Sequence, residues 1–424
     1  MLNETSEQSL LAKNAVLGPV PKQDRALAPD LARGVMLLFI ALANCAGIFF
    51  AAAPGVEPIP QGWERIYNLF TLMFLHARTF PIFAFMFGYG MIQLAMRQQA
   101  AGRSPLEVRT ILLRRNGWLL IFGLIHGVLL YSGDILGAYG IAGLLFVFLL
   151  LNRSERIYRL VFWYWGVLIV YCLVLMIWIA INIANGSAEA AVTATSPSPS
   201  SLSTSYSASL AVRLSEWPMH TALMSVNIVI IGLGAWCAKR RILENPANNL
   251  RILSWSAMVG IAAAAIGGLP MGLLNLGVLH ADADTAPLIK LLYETTGAFG
   301  GVGYVSVFGL IAYAMSQYPA CVKSRIVRAI TALGQRSLSG YLFQSIVWMA
   351  VISPFTLNLG AHFERLTLVA VGTAVVTWLA SVIAAYYMDR YGKRGWIEVL
   401  LRRLTYGRFY RKGVVDEGRV KARL

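Results

Sequence analysis

Residues 114–153 read RRNGWLLIFGLIHGVLLYSGDILGAYGIAGLLFVFLLLNR. Arginines close both ends, and the apolar runs between them are parted only by the turn Ser132-Gly133. A membrane span takes roughly 20 apolar residues, so the stretch predicts two transmembrane helices, at about 112–132 and about 135–152. The turn is so short that the two must be antiparallel neighbours. Basic residues mark the cytoplasmic ends of membrane helices, so both ends of this hairpin are expected inside and the turn outside.

Working outward, the same length criterion finds eight more runs, at about 34–53, 67–96, 158–185, 219–238, 252–272, 296–317, 338–357 and 366–388. The loops between them alternate in basic content without exception. Lys13, Lys22, Arg25 and Arg33 precede the first run; Arg97, Arg103, Arg109, Arg114 and Arg115 follow the second; Arg153, Arg156 and Arg159 follow the fourth. Lys239, Arg240, Arg241 and Arg251 follow the sixth, Lys323, Arg325, Arg328 and Arg336 the eighth, and a basic tail runs from Arg390. The intervening loops hold only Arg65, Arg213, Lys290 and Arg365 beside acids such as Glu57, Glu216 and Asp284. The expectation is an all-α, polytopic helical membrane protein of about ten transmembrane helices, with N- and C-termini in the cytoplasm and a place in the bacterial inner membrane.

Composition agrees. A chain of 424 residues that is 57% hydrophobic and 13% charged has too little polar surface to cover a soluble body of this size. The formal charge of +16 sits in loop clusters rather than on a basic stripe, which argues against a nucleic-acid partner. Cys45, Cys172, Cys237 and Cys321 have no metal-site or disulfide spacing, and no metal is expected. Residues 1–32 contain Pro19, Pro21 and Pro29 without an apolar core, so they read as a disordered cytoplasmic segment rather than a signal peptide. Five spans over 33–186 are then separated from five over 219–389 by 187–218, whose TATSPSPSSLSTSYSAS (193–209) reads as a flexible outer linker, and 390–424 forms the tail.

Ionisable groups inside a span are expensive and need a partner or a task. The second run contains His76 and Arg78 just before Pro81, which offers a place for the helix to break. His76 is a candidate general base, and Arg78 a buried cation suited to a carboxylate or phosphate; alternatively His76 caps a broken helix and Arg78 pairs with an acid such as Glu57. His126 and Asp134 flank the Ser132-Gly133 turn and should meet on the outer side, where Asp134 can cap its helix while orienting the histidine. Asn44, Tyr341 and Gln344 are neutral polar groups within spans, read as helix-to-helix hydrogen-bonding or substrate-facing residues. No P-loop, GxSxG, HExxH or CxxC occurs.

DLARGVMLLFIALAN, RTFPIFAFMFGYG, GLIHGVLLYSGDILGAYGIAGLL, LGQRSLSGYLFQS and GWIEVLLRRLTYG, in that order from Asp30 to Gly407, resemble the YeiB family of bacterial membrane proteins, whose C-terminal half is a domain of unknown function. At greater distance the chain is similar to heparan-α-glucosaminide N-acetyltransferase and the wider transmembrane acyltransferase group. There an essential histidine precedes a segment like FPWFVFIMG, which His76 before FPIFAFMFG resembles. The resemblance implies transfer of an acyl group from cytosolic acyl-CoA, a cosubstrate rather than a resident cofactor, to an acceptor sugar, lipid or small molecule on the outer side. His76, Arg78, His126 and Asp134 would be catalytic, Asn44, Tyr341 and Gln344 would face substrate, and Arg114 and Arg115 would meet the CoA phosphates. The alternative is a transporter or channel that lines a solute or proton path with the same groups. The expected partners are membrane lipids, acyl-CoA and the outer acceptor, with a homodimer left open.

Overall fold

The computed structural model describes residues 26–185, 195–225 and 227–407. The first helix, α1 (Leu27–Phe49), begins earlier than the apolar run because Ala28, Pro29 and Asp30 are already buried against neighbours. The second run is two helices, α2 (Trp63–Phe74) and α3 (Thr79–Ala100). The break precedes Pro81 instead of falling on it. It occupies Leu75–Arg78, where Ala77 takes a left-handed φ of 58°. Pro81 sits in the first turn of α3, where a backbone N–H has no intrahelical acceptor and its loss costs nothing.

The hairpin follows as α4 (Pro105–Leu129) and α5 (Leu136–Leu149). Ser104 opens α4 through a capping box with Glu107, and Pro105 fills the first helical position. A Cβ on Gly123 would come within 2.0 Å of the Gly137 nitrogen, so the two helices touch backbone to backbone, as small residues permit in lipid. Next come α6 (Glu155–Asn185), α7 (Pro199–Leu202), α8 (Tyr206–Ser225) and α9 (Ile228–Lys239). The expected sixth span is therefore a pair, α8 and α9, meeting at 46°. The second half continues with α10 (Leu250–Asn275), α11 (Thr285–Ser316), α12 (Pro319–Val322), α13 (Arg325–Gly334), α14 (Ser337–Val351), α15 (Leu366–Arg390) and α16 (Trp396–Tyr406).

Among the described residues, seven helical stretches are long and apolar enough to cross a membrane, and the α8–α9 pair makes an eighth if it counts as one span. The remaining two expected spans coincide with α5 and α14, apolar but only 14 and 15 residues long. At 1.5 Å per residue they rise roughly 21 and 22 Å, short of a hydrocarbon core of about 30 Å. These two short helices carry the candidate site.

Helix α1 lies at the centre of the bundle, against α3, α11, α13, α14 and α15. Fully buried Met36, Ile82, Met86, Tyr89 and Ile231 form the main core between α1, α3 and α9. Helix α6 turns its apolar face outward, with Trp163, Val167 and Ile177 exposed, as a lipid-facing helix would.

The Ser-rich stretch corrects the expectation of a flexible linker. Residues 186–194 lie outside the described part, but from Thr195 the chain folds back onto the bundle. Ala52 and Ala53 pair antiparallel with Pro197 and Ser196. The Ser200 hydroxyl meets that of Ser132 at 3.0 Å, Ser209 donates to the Ser200 carbonyl at 2.7 Å, and Arg213 donates to the Leu130 carbonyl at 2.7 Å. Serine is linker-like in composition, yet here its hydroxyls satisfy backbone and side-chain partners across the hairpin turn. Residues 1–25 of the expected N-terminal segment, and the part of the basic tail beyond Gly407, also lie outside the described residues.

Candidate functional site

Asp134 ends the hairpin turn two residues before α5, with no solvent exposure. Its Oδ1 accepts the Leu136 N–H at 3.1 Å and its Oδ2 the Gly137 N–H at 2.7 Å, so it satisfies two donors at the start of α5, as the cap reading expects. The same Oδ1 lies 2.8 Å from Nδ1 of His126, which is 1% exposed near the end of α4. His126 Nε2 in turn lies 2.8 Å from Oγ of Ser345 on α14. A carboxylate facing Nδ1 fixes the proton there, which leaves the Nε2 lone pair directed at the serine hydroxyl. The order is carboxylate, imidazole, hydroxyl, from three separate segments.

Ser345 closes the YLFQS stretch and is not among the residues the sequence singles out. One serine in an apolar helix carries no signal of its own; only the fold brings it against His126. His220 was missed in the same way: its Nε2 donates to the Asp134 carbonyl at 3.2 Å from α8. Trp217, one turn earlier, lies flush on the hairpin, and a Cβ on Gly127 would fall 2.1 Å from its indole. Helix α8 thus covers the His126–Asp134 pair on one side.

On the other side lies Tyr341, its ring centroid 4.9 Å from that of His126. Tyr341 also lines a cavity of about 1030 Å³. The inner wall of that cavity is Leu37, Ile40, Phe83, Leu136 and Tyr139, while Asp30, Arg33, Arg97, Arg241, Glu244 and Glu398 line the end that carries the basic clusters. Ile40 lies thirteen residues along α1 from Leu27, so the cavity runs roughly 20 Å into the bundle. It stops one side chain short of His126.

Arg115 lines this cavity with its guanidinium 5.0 Å from the Phe87 ring, and its Nη1 is buried with no hydrogen-bond partner among the described residues. Arg114 points elsewhere: it donates to the Leu404 carbonyl at 2.8 Å and fastens α16 to α4. Gln344 donates to the Leu37 carbonyl at 3.3 Å, tying α14 to α1 beside the cavity, and Asn44 is half-buried on α1 beyond the cavity wall. Glu398 of α16 accepts the N–H groups of Leu338 and Ser339 at 2.9 and 3.0 Å and bonds the Ser339 hydroxyl. A carboxylate from a distant helix thus caps the helix that bears Tyr341 and Ser345.

His76 and Arg78 are not brought to this cavity. Arg78 has no exposure, and its guanidinium donates to the carbonyls of His76 at 3.0 Å, Tyr293 at 3.3 Å and Ala264 at 2.7 Å, with the Tyr293 ring 4.6 Å away. Among the described residues no carboxylate pairs with it. The anticipated Glu57 partner is replaced by backbone carbonyls, because the break between α2 and α3 and the approach of α10 and α11 direct three of them inward. The His76 imidazole is aimed at the Gly55 backbone. Among the described residues, no group of three or more His, Cys, Asp or Glu could hold a metal ion.

Residues 237–408 match the family described as a protein of unknown function, DUF418. Along nearly the whole chain the protein is 26% identical to the uncharacterized protein YeiB of Escherichia coli, covering 90% of this chain and 96% of that one. It is 22% identical to an uncharacterized 39.9 kDa protein in the amylase 3′ region of Bacillus acidopullulyticus, covering 92% and 97%, and 24% identical to the uncharacterized protein YxaH of Bacillus subtilis, covering 78% and 80%. No solved structure matches the chain. The end-to-end similarity and the DUF418 match over the stretch that bears Tyr341, Ser345 and Glu398 together support membership of the YeiB family.

Proposed function

We propose that this protein is a membrane-embedded acyltransferase: it takes the acyl group of cytosolic acyl-CoA and gives it to a hydroxyl or amine acceptor from the outer side, with His126 as general base and Asp134 as the group that orients it. One observation carries the reading. The Asp134–His126–Ser345 chain lies directly behind Tyr341, at the blind end of a cavity whose mouth bears Arg33, Arg97 and Arg241. Clustered guanidinium groups attract phosphates, and Arg115 brings to the same wall a buried N–H with no partner among the described residues.

The chemistry is acid–base. His126 Nε2 removes the proton of the attacking hydroxyl or amine as it adds to the thioester carbonyl, Asp134 stabilises the imidazolium, and the proton passes to the departing thiolate. Tyr341 must swing aside for the thioester to reach the imidazole. We assign Arg78 and His76 a structural task, holding the break between α2 and α3 to α10 and α11. The donor interacts with Arg115, while Arg114 acts only through α16.

The reading also requires ten crossings, with both termini in the cytoplasm of the inner membrane. If α5 or α14 did not cross, the clusters Arg153–Arg159 or the tail from Arg390 would fall on the same side as the acidic loops, against the basic alternation. Two short helices can cross where they line a water-filled cavity, which spares them the full hydrocarbon thickness.

The test is ligand-induced thermal stabilisation of the purified protein. CoA and acetyl-CoA should raise Tm, less at high salt, and less in Arg115→Ala, because ligand binding to the folded state stabilises it by mass action. Absence of CoA binding and of any Tm shift in the wild type would overturn acyl transfer and leave solute transport through the same cavity.

A further inference from the structure

We propose that Ser345 is itself the first acceptor of the acyl group, so that transfer runs through an acyl-serine. The inference rests on the acyl-transfer reading above and adds a covalent intermediate to it. A direct transfer needs only a base; here the base is already occupied by a nucleophile. Ser345 Oγ stands 2.8 Å from His126 Nε2, and His126 Nδ1 stands 2.8 Å from Asp134 Oδ1. This is the nucleophile, base and orienter relation of covalent acyl transfer.

The contact is not explained by the habits of serine in helices. A helical serine can satisfy itself on the carbonyl four residues back, and Ser345 does reach the Tyr341 carbonyl, at 3.3 Å, but that bond does not account for the 2.8 Å approach to His126. The hydroxyl has one proton, and the histidine nitrogen is the closer acceptor. Asp134 is in addition immobilised by the Leu136 and Gly137 N–H groups, so the imidazole it orients is fixed on a rigid turn.

Placement supplies the second observation. Ser345 and Tyr341 are four residues apart on α14 and share a face. Tyr341 lines the cavity while its ring lies over His126, so rotation of one side chain exposes Ser345 to a thioester arriving from the basic end. The opposite side of the same histidine is covered by α8, with Trp217 and His220. An acyl-serine lets the donor leave by one side before the acceptor arrives by the other.

In the first half-reaction the Ser345 Oγ–C bond forms and the C–S bond breaks. The serine proton passes to His126 Nε2 and then to the thiolate, releasing CoA as the free thiol. In the second half, the acceptor hydroxyl or amine gives its proton to His126 and bonds to the acyl carbon. The ester bond to Oγ breaks, and the serine oxygen recovers the proton.

The experiment incubates purified protein with acetyl-CoA in the absence of acceptor, quenches it in acid, and maps peptides by mass. The wild type should release one equivalent of CoA in a burst and carry a hydroxylamine-labile acetyl ester on Ser345. Ser345→Ala should lack the ester and lose turnover by about 10³-fold or more, whereas Ser345→Cys should still be acylated, as a thioester. His126→Ala should form no adduct. Steady-state transfer without any ester, or Ser345→Ala turning over like the wild type, would overturn the relay and leave direct acyl transfer standing. A wild type that neither releases CoA nor is acylated without acceptor overturns the relay alone; one that also releases no CoA when given a pool of bacterial envelope lipids and polysaccharides refutes both.

Discussion

Replacing Asp134 by Asn keeps the shape of the side chain and removes one acceptor oxygen and the charge. In the wild type the carboxylate accepts three hydrogen bonds, from His126 Nδ1, Leu136 N and Gly137 N, at 2.8, 3.1 and 2.7 Å. A carboxamide cannot reproduce that set. If its oxygen faces Gly137, its NH₂ meets the Leu136 N–H and turns His126 Nδ1 into an acceptor. If its oxygen faces His126 and Leu136, the NH₂ meets the Gly137 N–H. Either way one buried donor is left unpaired, at about 1–3 kcal/mol, and the surviving bonds lose charge assistance, for a total of about 2–4 kcal/mol. The first arrangement also moves the imidazole proton to Nε2, which then donates to Ser345 and cannot deprotonate it. The rate should fall on the order of 10³–10⁴-fold, as for other wrong-tautomer triads. Thermal unfolding of the detergent-purified variant and CoA release from acetyl-CoA measure the two effects separately. A variant that unfolds with the wild type and keeps its rate within about tenfold, or 1.4 kcal/mol, would refute the assignment of Asp134 as orienter.

Three further outcomes are expected. In a Cys321→Ser, Ser345→Cys background, where Cys45, Cys172 and Cys237 are buried, a charged thiol reagent should label the introduced thiol on α14 only when Tyr341 is also changed to Ala; equal labelling with Tyr341 intact would show that Tyr341 is no barrier. Glu398→Ala removes the cap on α14 and should cost about 1–2 kcal/mol, read as a lower Tm, with a smaller loss in Glu398→Gln. Arg78→Met strands three inward carbonyls and should cost about 3 kcal/mol or more, yet the fraction that folds should turn over within severalfold of the wild type; a folded but inactive protein would return catalysis to Arg78.

What the sequence made legible is what lipid imposes. Apolar run length and basic alternation placed a helix at each of ten positions, because the membrane penalises every unsatisfied backbone group and every stray charge. The His126–Asp134 pairing was legible for a local reason: the two residues flank one hairpin connection, which spans Leu130–Ile135 rather than the two residues Ser132-Gly133 alone, and is still short enough to bring them together. Ser345 and His220 were not, because each is joined to the pair by the tertiary approach of α14 or α8, and helix-to-helix register in lipid leaves little periodic signal. Arg78 shows the converse. Its cost in the membrane was plain, but the carbonyls that offset it come from Ala264 and Tyr293, 186 and 215 positions away, and only the fold brings them there. Composition misled at residues 195–209, where serines that look like linker serve as hydrogen-bonding side chains on the hairpin.

The most direct measurement of all is transfer by oriented proteoliposomes. Radiolabelled acetyl-CoA is supplied on the face that carries Arg33 and Arg97, a pool of bacterial envelope lipids and polysaccharides on the other, and free CoA thiol and labelled acceptor are followed together. The wild type should release CoA in step with label appearing in acceptor on the far side, and His126→Ala, correctly folded by Tm, should do neither. Equal transfer by His126→Ala, or label crossing unmodified with no thiol released, would contradict a His126-centred acyltransferase.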